Sequence, residues 1–488
     1  MPLLAPSPTE VLKARYGERY RWLLLMALMV GTIASIIPST SVNVAIPAMS
    51  QYFALGQERA QWITSAFMVA STVAMLITPW MLARCGYRAT YAYAVLLLMG
   101  GGIAGGCAQH FEVMLLSRVA EGVAAGIIQP IPAVIILRAF QPHEQGRAGG
   151  IFGKGVVLAP ALAPALGGLL VDWMGWRSTF FMVIPPCLLS LWLAWKLVPT
   201  ASPESHSPST TQHRLDLPGL GLATVGTLSL LNALVAFHHS QTQAAWLLAL
   251  ALICLSAFIL WQQHLLRTQR KPLMDLRLFT YRPFVMGCVV AFIYGTAMFG
   301  STYLLPVFIQ MGLGLSASYA GNLLLPAGMV LAITIPLVGR MAATQPTHWL
   351  VSIGMLLLAA SFALMLWAGH GMALWLLAGF IIVGRIGLGF ILPSLNLGAM
   401  RPLERTLLPQ GSSTISFIRM LGGAIGVGLC GIVLEWRLAV QAADPSLSAL
   451  QARITAFHES FAMLTGLCLL AFIAATQLRS AAPHKPAP

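Results

Sequence analysis

Charge is scarce in this sequence. Only 9% of its 488 residues are Asp, Glu, Lys or Arg, and just 14 are acidic. With 58% hydrophobic residues and a mean hydropathy of +0.79, the chain has too little polar surface to enclose a single water-soluble core. Several function classes are excluded with it. GxxxxGK[ST] is absent, so there is no backbone cradle for ATP phosphates. HExxH is absent too, and the 11 histidines are scattered through loops, tails and span ends, which argues against an enzyme embedded in the membrane. No repeated selectivity filter points to a channel. The 7 cysteines lack a CxxC pair and read as small core residues, not metal ligands.

What the sequence has is long apolar runs. A bilayer core needs about 20 apolar residues per helix, and on that template fourteen spans are expected, at 21–47, 60–80, 89–108, 113–137, 148–170, 178–195, 217–237, 245–265, 284–308, 319–339, 349–368, 373–399, 410–434 and 458–477. The first run is too long for the core of a secretion signal and lacks a clear cleavage site, so no cleavable signal is expected. The formal net charge of +14 would suit a nucleic-acid binder in a soluble domain. Here, however, the bases fall in short loops, the pattern that sets topology. With both termini in the cytoplasm, 20 of the 28 Lys and Arg lie inside, and only Arg59, Arg177, Arg437 and Arg453 lie outside. A multi-pass protein of a bacterial inner membrane, with both termini cytoplasmic, is the expectation.

Two polar stretches, 199–214 and 266–283, read as linkers flanking an extra helix pair. The expected organisation is an N-terminal tail (1–20), a six-helix bundle (21–198), a linker carrying two additional helices (199–282), a second six-helix bundle (283–478) and a C-terminal tail (479–488). A weak internal repeat supports the division: VAIPAM around Pro47 aligns with LLPVFI around Pro306. Two halves in one orientation are the plan of a rocking transporter with its site between them.

Ionisable residues at membrane depth cost about 2.5–3.5 kcal/mol on insertion scales and mark function. Four bases, Arg118, Lys154, Arg385 and Arg419, fall inside spans, and Glu121 is the one acid clearly inside; Glu112, Asp172, Asp216 and Glu435 sit at ends, and the rest in loops or tails. Arg118 and Glu121 are three apart and share a helical face. They form either a static ion pair or a proton carrier. Lys154 either snorkels to the surface or lines a cavity. With Asn43, Arg385 and Arg419 it is a candidate for the substrate cavity. In the fifth span Gly155, Ala159, Ala163 and Gly167 recur every four residues, a stripe that lets a neighbouring helix come close, with Pro160, Pro164 and Gly168 on the adjacent stripe. The prolines are expected to bend the helix.

STSVNVAIP (39–47), TPWMLARCGYR (78–88), SRVAEGVAAG (117–126), LAPALAPALGGLL (158–170), RLDLPGLGL (214–222), KPLMDLRLF (271–279) and RMLGGAIGVG (419–428) together resemble the major facilitator superfamily, in its fourteen-helix drug:proton antiporter branch. The resemblance covers nearly the whole chain, in order. It implies an all-α integral membrane fold of two six-helix bundles plus two extra central helices. It also implies proton-driven export of amphiphilic compounds by alternating access, no cofactor beyond the proton gradient, and contact with membrane lipid. Some relatives use a periplasmic adaptor. A facilitator or importer of an organic anion on the same fold is the alternative. By resemblance, Arg118 belongs to the fourth-helix motif, Pro164, Gly167 and Gly168 belong to an antiporter motif that limits leak between the halves, and Arg84, Gly86 and Arg88 form a cytoplasmic gate loop; the proton-coupling role of Glu121 with Arg118 is read from their place inside a span. The departures matter as much. Glu121 replaces the usual glutamine, Ala163 a glycine, and Pro38 the acid of the first span, while Pro79 and Ala83 replace the glycine and aspartate of the gate loop and Ala343 its second-half counterpart. Four in-span bases against one acid favour neutral or anionic guests, with lipophilic monocations still open.

Overall fold

The computed structural model describes residues 16–54, 57–198, 215–237, 240–268, 270, 272–315, 317–369, 371–404, 406–442 and 448–478, and among them there are helices and no strands. Backbone polar groups in lipid must bond within their own segment, so apolar runs of this length become helices. In chain order the helices are α1 (Tyr20–Tyr52), α2 (Gln57–Gly106), α3 (Phe111–Ile128), α4 (Ile131–Ala139), α5 (Pro142–Met174), α6 (Ile184–Leu197), α7 (Leu217–Ala236), α8 (Gln241–Arg267), α9 (Arg282–Val307), α10 (Ala317–Thr344), α11 (Thr347–Leu364), α12 (Leu374–Met400), α13 (Leu408–Ala442) and α14 (Ala449–Thr476). Twelve stretches of the described residues are long and apolar enough to cross a membrane. One of them, Trp62–Gly106, is 45 residues long, about twice what a bilayer needs, and breaks at Gly86, whose φ of 75° suits a residue without Cβ. The 33-residue α5 is a further helix of spanning length. These lengths fit fourteen crossings.

Exposed tryptophans mark where the band ends. Trp173, Trp246, Trp367, Trp375 and Trp436 are exposed at helix ends on one face, and Trp195 and Trp349 on the other, where α1 starts. Indole favours the headgroup level. From Trp349 to Trp367 the chain rises about 27 Å at 1.5 Å per residue, close to the roughly 30 Å of a hydrocarbon core. The apolar side chains between, such as Ile253, Leu260 and Ile333, stay exposed and face lipid.

Two cores hold the molecule. One is built from residues between Tyr20 and Val198, the other from residues between Leu278 and Leu478. They meet along two seams. At the first, Gly146, Gly150 and Gly153 of α5 face α10: a Cβ on Gly150 would lie 2.9 Å from Pro336 Cα, and one on Gly339 would lie 2.5 Å from Gly150 Cα. At the second, Ser412 of α13 donates to the Pro130 carbonyl at 2.9 Å. Over this second seam lies the extra pair α7–α8, through an apolar cluster that joins Met75 and Leu76 of α2 to Ala223, Phe258, Phe417 and Met420.

Polar bonds fasten that pair on one side. Asp216 accepts from Gly219 N (2.9 Å), Trp261 Nε1 (2.8 Å) and Gln262 Nε2 (2.7 Å). Gln262 Oε1 then accepts from Leu273 N at 2.8 Å, and Gln410 Oε1 accepts from Asp275 N at 2.6 Å. The linker is thereby tied to α13.

Two corrections to the sequence expectations belong here. The stripe of Gly155, Ala163 and Gly167 does not face the other half: a Cβ on Gly155 would meet Met29 and one on Gly167 would meet Ser41, both on α1, and Ala163 joins the N-terminal core. The seam uses the neighbouring Gly146, Gly150 and Gly153, because α5 presents different faces to α1 and α10. Glu459, grouped with the loop and tail acids although the expected last span begins at 458, lies well inside α14, which starts at Ala449, and pairs with Arg437 of α13.

Gly150→Leu is expected to push α5 from α10, from the short end of helix spacings near 8 Å towards about 10 Å. Spin labels at positions 147 and 340 should report a distance longer by about 2 Å; an unchanged distance would show that the seam has room. Asp216→Ala is expected to lower the unfolding free energy by about 3 kcal/mol, since three buried donors lose a charged acceptor, with Asp216→Asn costing less. Thermal unfolding in detergent checks both.

Candidate functional site

A cavity of about 100 Å³ lies between the two halves. Its walls come from α1, α5, α10, α12, α13 and the α3–α4 junction. The polar side chains lining it are Thr32, Gln129, Gln145, Asn396, Ser416 and Arg419, set among apolar neighbours such as Ile36, Phe152 and Leu392. Some are already engaged: Thr32 donates to the Leu28 carbonyl at 2.9 Å, and Gln145 Nε2 to the Leu137 and Phe140 carbonyls at 3.3 Å. Gln129, Asn396, Ser416 and Arg419 have no side-chain hydrogen bond or ion pair among the described residues. At about 30 Å³ per water the cavity holds roughly three waters, far below the 300–1,000 Å³ of a drug-sized pocket. The halves are drawn together around it, as the glycine seam requires.

Arg419 lines this cavity. Arg385 does not line the cavity; Tyr294, buried on α9, is within electrostatic range of both guanidinium groups. The side chains of Asn43, Lys154, Pro160 and Pro164 lie outside the described residues. The backbone of α5 runs as one helix from Pro142 to Met174, and Gly168 is half-buried on it.

The in-span ion pair sits elsewhere, buried between α2 and α3. Arg118 Nη1 donates to Glu121 Oε2 at 2.6 Å, and Nε donates to the Ile63 carbonyl at 2.9 Å. The guanidinium carbon stands 4.6 Å from the Phe67 ring centroid, a cation–π distance. Both side chains are 0% exposed. Close packing makes this possible: a Cβ on Gly101 would lie 2.9 Å from Glu121 Cγ, and one on Gly122 would meet the Phe67 carbonyl at 2.5 Å. Among the described residues, Arg118 Nη2 and Glu121 Oε1 have no hydrogen-bond partner. Neither residue lines the cavity. Any coupling between pair and cavity therefore runs through helix movement.

The loop at Gly86 is tied within its own half. Arg88 Nε donates to the Val198 carbonyl at 2.6 Å, and Thr90 Oγ1 to the Met81 carbonyl at 2.9 Å. Arg84 stacks 5.8 Å from the Trp80 ring centroid. Described contacts that join the halves include the α5–α10 glycines, the Ser412 bond and Leu137 of α4, which packs on Val338, Ala342, Leu350 and Leu397. In this structure Arg88 of the expected gate loop and the nearby Thr90 brace the N-terminal core.

Gln129, Asn396 and Ser416 were not singled out from sequence, although an amide inside an apolar run is a visible signal. The Gly146, Gly150 and Gly153 spacing was equally visible, but a stripe does not say which neighbour it meets.

The comparisons agree with this architecture. A solved structure of the proton:xylose symporter XylE superposes with a TM-score of 0.67, covering 94% of this chain and 95% of that one at 14% identity, which shows the fold alone. The multidrug transporter protein MdtP of Bacillus subtilis is 25% identical over 444 residues, 90% of this chain and 80% of its own. The multidrug export protein EmrB of Haemophilus influenzae is 26% identical over 427 residues, 86% of this chain and 81% of its own. The family model of the Major Facilitator Superfamily matches residues 28–427. With two helical halves, a cavity between them and a match over most of its length, this multi-pass membrane protein belongs to the Major Facilitator Superfamily and is a transporter, not an enzyme.

Proposed function

We propose that the chain is a secondary active exporter of amphiphilic small molecules, which moves them from the cytoplasm in exchange for protons by alternating access. The observation that carries this reading is the Arg118–Glu121 pair. A coupling group must exist in charged and neutral forms at membrane depth and must bias one conformation over another. Glu121 is such a group, and its free Oε1 is an atom to which a proton can add without first breaking the bond to Arg118.

Protonation would leave the Arg118 charge without a counter-charge in a dry site. Breaking a buried pair costs about 3–5 kcal/mol. That penalty is large enough to shift a two-state equilibrium decisively, since about 5.5 kcal/mol moves it from 1:99 to 99:1. Relief would come from the conformation in which water reaches Arg118. The glycine seam supplies the moving contact, because surfaces without side chains part and meet without repacking. Relatives named as a multidrug transporter and a multidrug export protein support amphiphile export. A proton-independent facilitator on the same fold is the alternative.

Proton release from the purified protein in acid-loaded vesicles, on adding anionic, neutral and cationic amphiphiles in turn, separates the two. Release is expected with at least one class, and Glu121→Gln is expected to abolish it while substrate binding stays measurable. Binding also reports that the variant folds. Full proton-coupled transport by Glu121→Gln would remove Glu121 from the mechanism, and gradient-independent transport by the wild type would establish the facilitator.

A further inference from the structure

The chain treats its in-span arginines differently: Arg118 is fully buried and Arg419 half-buried. Arg118 receives a carboxylate partner at 2.6 Å. Arg419 has none among the described residues, although it too stands in a helix of the membrane band, and it lines the cavity between the halves. It is the one formally charged side chain among the described residues of that lining, and no Asp or Glu accompanies it. The groups beside it are neutral. Gln129 and Asn396 add amide N–H donors, Ser416 adds a hydroxyl, and all three are uncommitted. A cation at membrane depth calls for a counter-charge, and the described residues of the lining do not supply it.

Resting on the export reading above, we propose that this cavity is the headgroup site for carboxylate-bearing amphiphiles, with the acid seated on Arg419 and with Asn396 and Gln129 as further donors. The guanidinium fork matches a carboxylate with two parallel N–H···O bonds. The size agrees: about 100 Å³ takes a carboxylate and its first few carbons, while Ile36, Phe152 and Leu392 offer the apolar surface on which a tail begins. A longer tail enters only when the halves part. A cationic guest would approach Arg419 with no carboxylate to offset the repulsion. Carboxylate is favoured over a lipid phosphodiester because the site lies between the halves, enclosed by α5, α10, α12 and α13, and not on the lipid-facing surface.

The test uses the purified full chain in neutral detergent, titrated with a dansylated undecanoic acid, its primary amide and the corresponding amine. The wild type is expected to bind the acid at least about tenfold more tightly than the amide, the worth of a charged hydrogen-bond pair. Arg419→Gln is expected to bring the acid to the amide's affinity without changing the amide, and Arg419→Lys to keep part of the preference. Asn396→Leu should weaken the acid severalfold, which keeps the proposal open to refutation if Arg419→Gln does not fold. Equal binding of acid and amide by the wild type overturns it, as does an acid affinity indifferent to both substitutions. Displacement of the acid by phosphatidylglycerol at stoichiometric amounts would assign the site to lipid and overturn it too. Efflux of a neutral dye from vesicles, measured on the same preparations, reports the export reading separately: dye movement without acid preference sinks the headgroup site alone.

Discussion

The contact of Gly150 with Gly339 governs the geometry of the molecule. No side chain stands between the two backbones there, so α5 and α10 meet at the short limit of helix spacing, and the cavity behind them shrinks to a few waters' volume. In lipid there is little hydrophobic drive for helix association, and close backbone approach supplies the van der Waals contact that replaces it. The same flatness makes the contact reversible, because no interlocked side chains have to be withdrawn when it opens. The complementary stripe on α5, through Gly155 and Gly167, anchors the helix to α1. One helix thus packs one face within its own half and sets another on the seam, assigned by which glycines meet which neighbour.

Charge is placed with comparable economy. The buried pair Arg118–Glu121 is neutral as a unit and rests on α2 through the Ile63 carbonyl and the Phe67 ring. The cavity, by contrast, holds a guanidinium with no acidic partner among the described residues, beside neutral amides. On the proposed reading, proton exchange and guest binding occupy different interfaces. Their communication has to be mechanical, through the relative position of α2–α3 and α13, since neither pair member reaches the cavity. The extra pair α7–α8 enters this mechanics. Its polar fasteners run through Asp216, Gln262 and Asp275 to Gln410 on α13, whereas its contact with α2 is apolar. An apolar face slides more readily than a hydrogen-bonded one, so the pair is built to travel with the C-terminal half.

Much was legible in the sequence by itself. Apolar length and the scarcity of charge determined a polytopic helical protein, because lipid leaves the backbone no other way to satisfy its hydrogen bonds over such runs. The ordered motifs implied the family, and the three-residue spacing of Arg118 and Glu121 placed them on one face. What only the tertiary structure decided is the identity of neighbours. Gly155 and Gly167 met α1 and not the second half; Arg419 reached the cavity and Arg385 did not; Gln129 and Asn396, more than 260 positions apart, came to line one space. Helical periodicity specifies which residues share a face, but the partner of that face depends on how the helices are arranged in the bilayer plane. That arrangement is set by contacts summed over the whole assembly, not by any local run of residues.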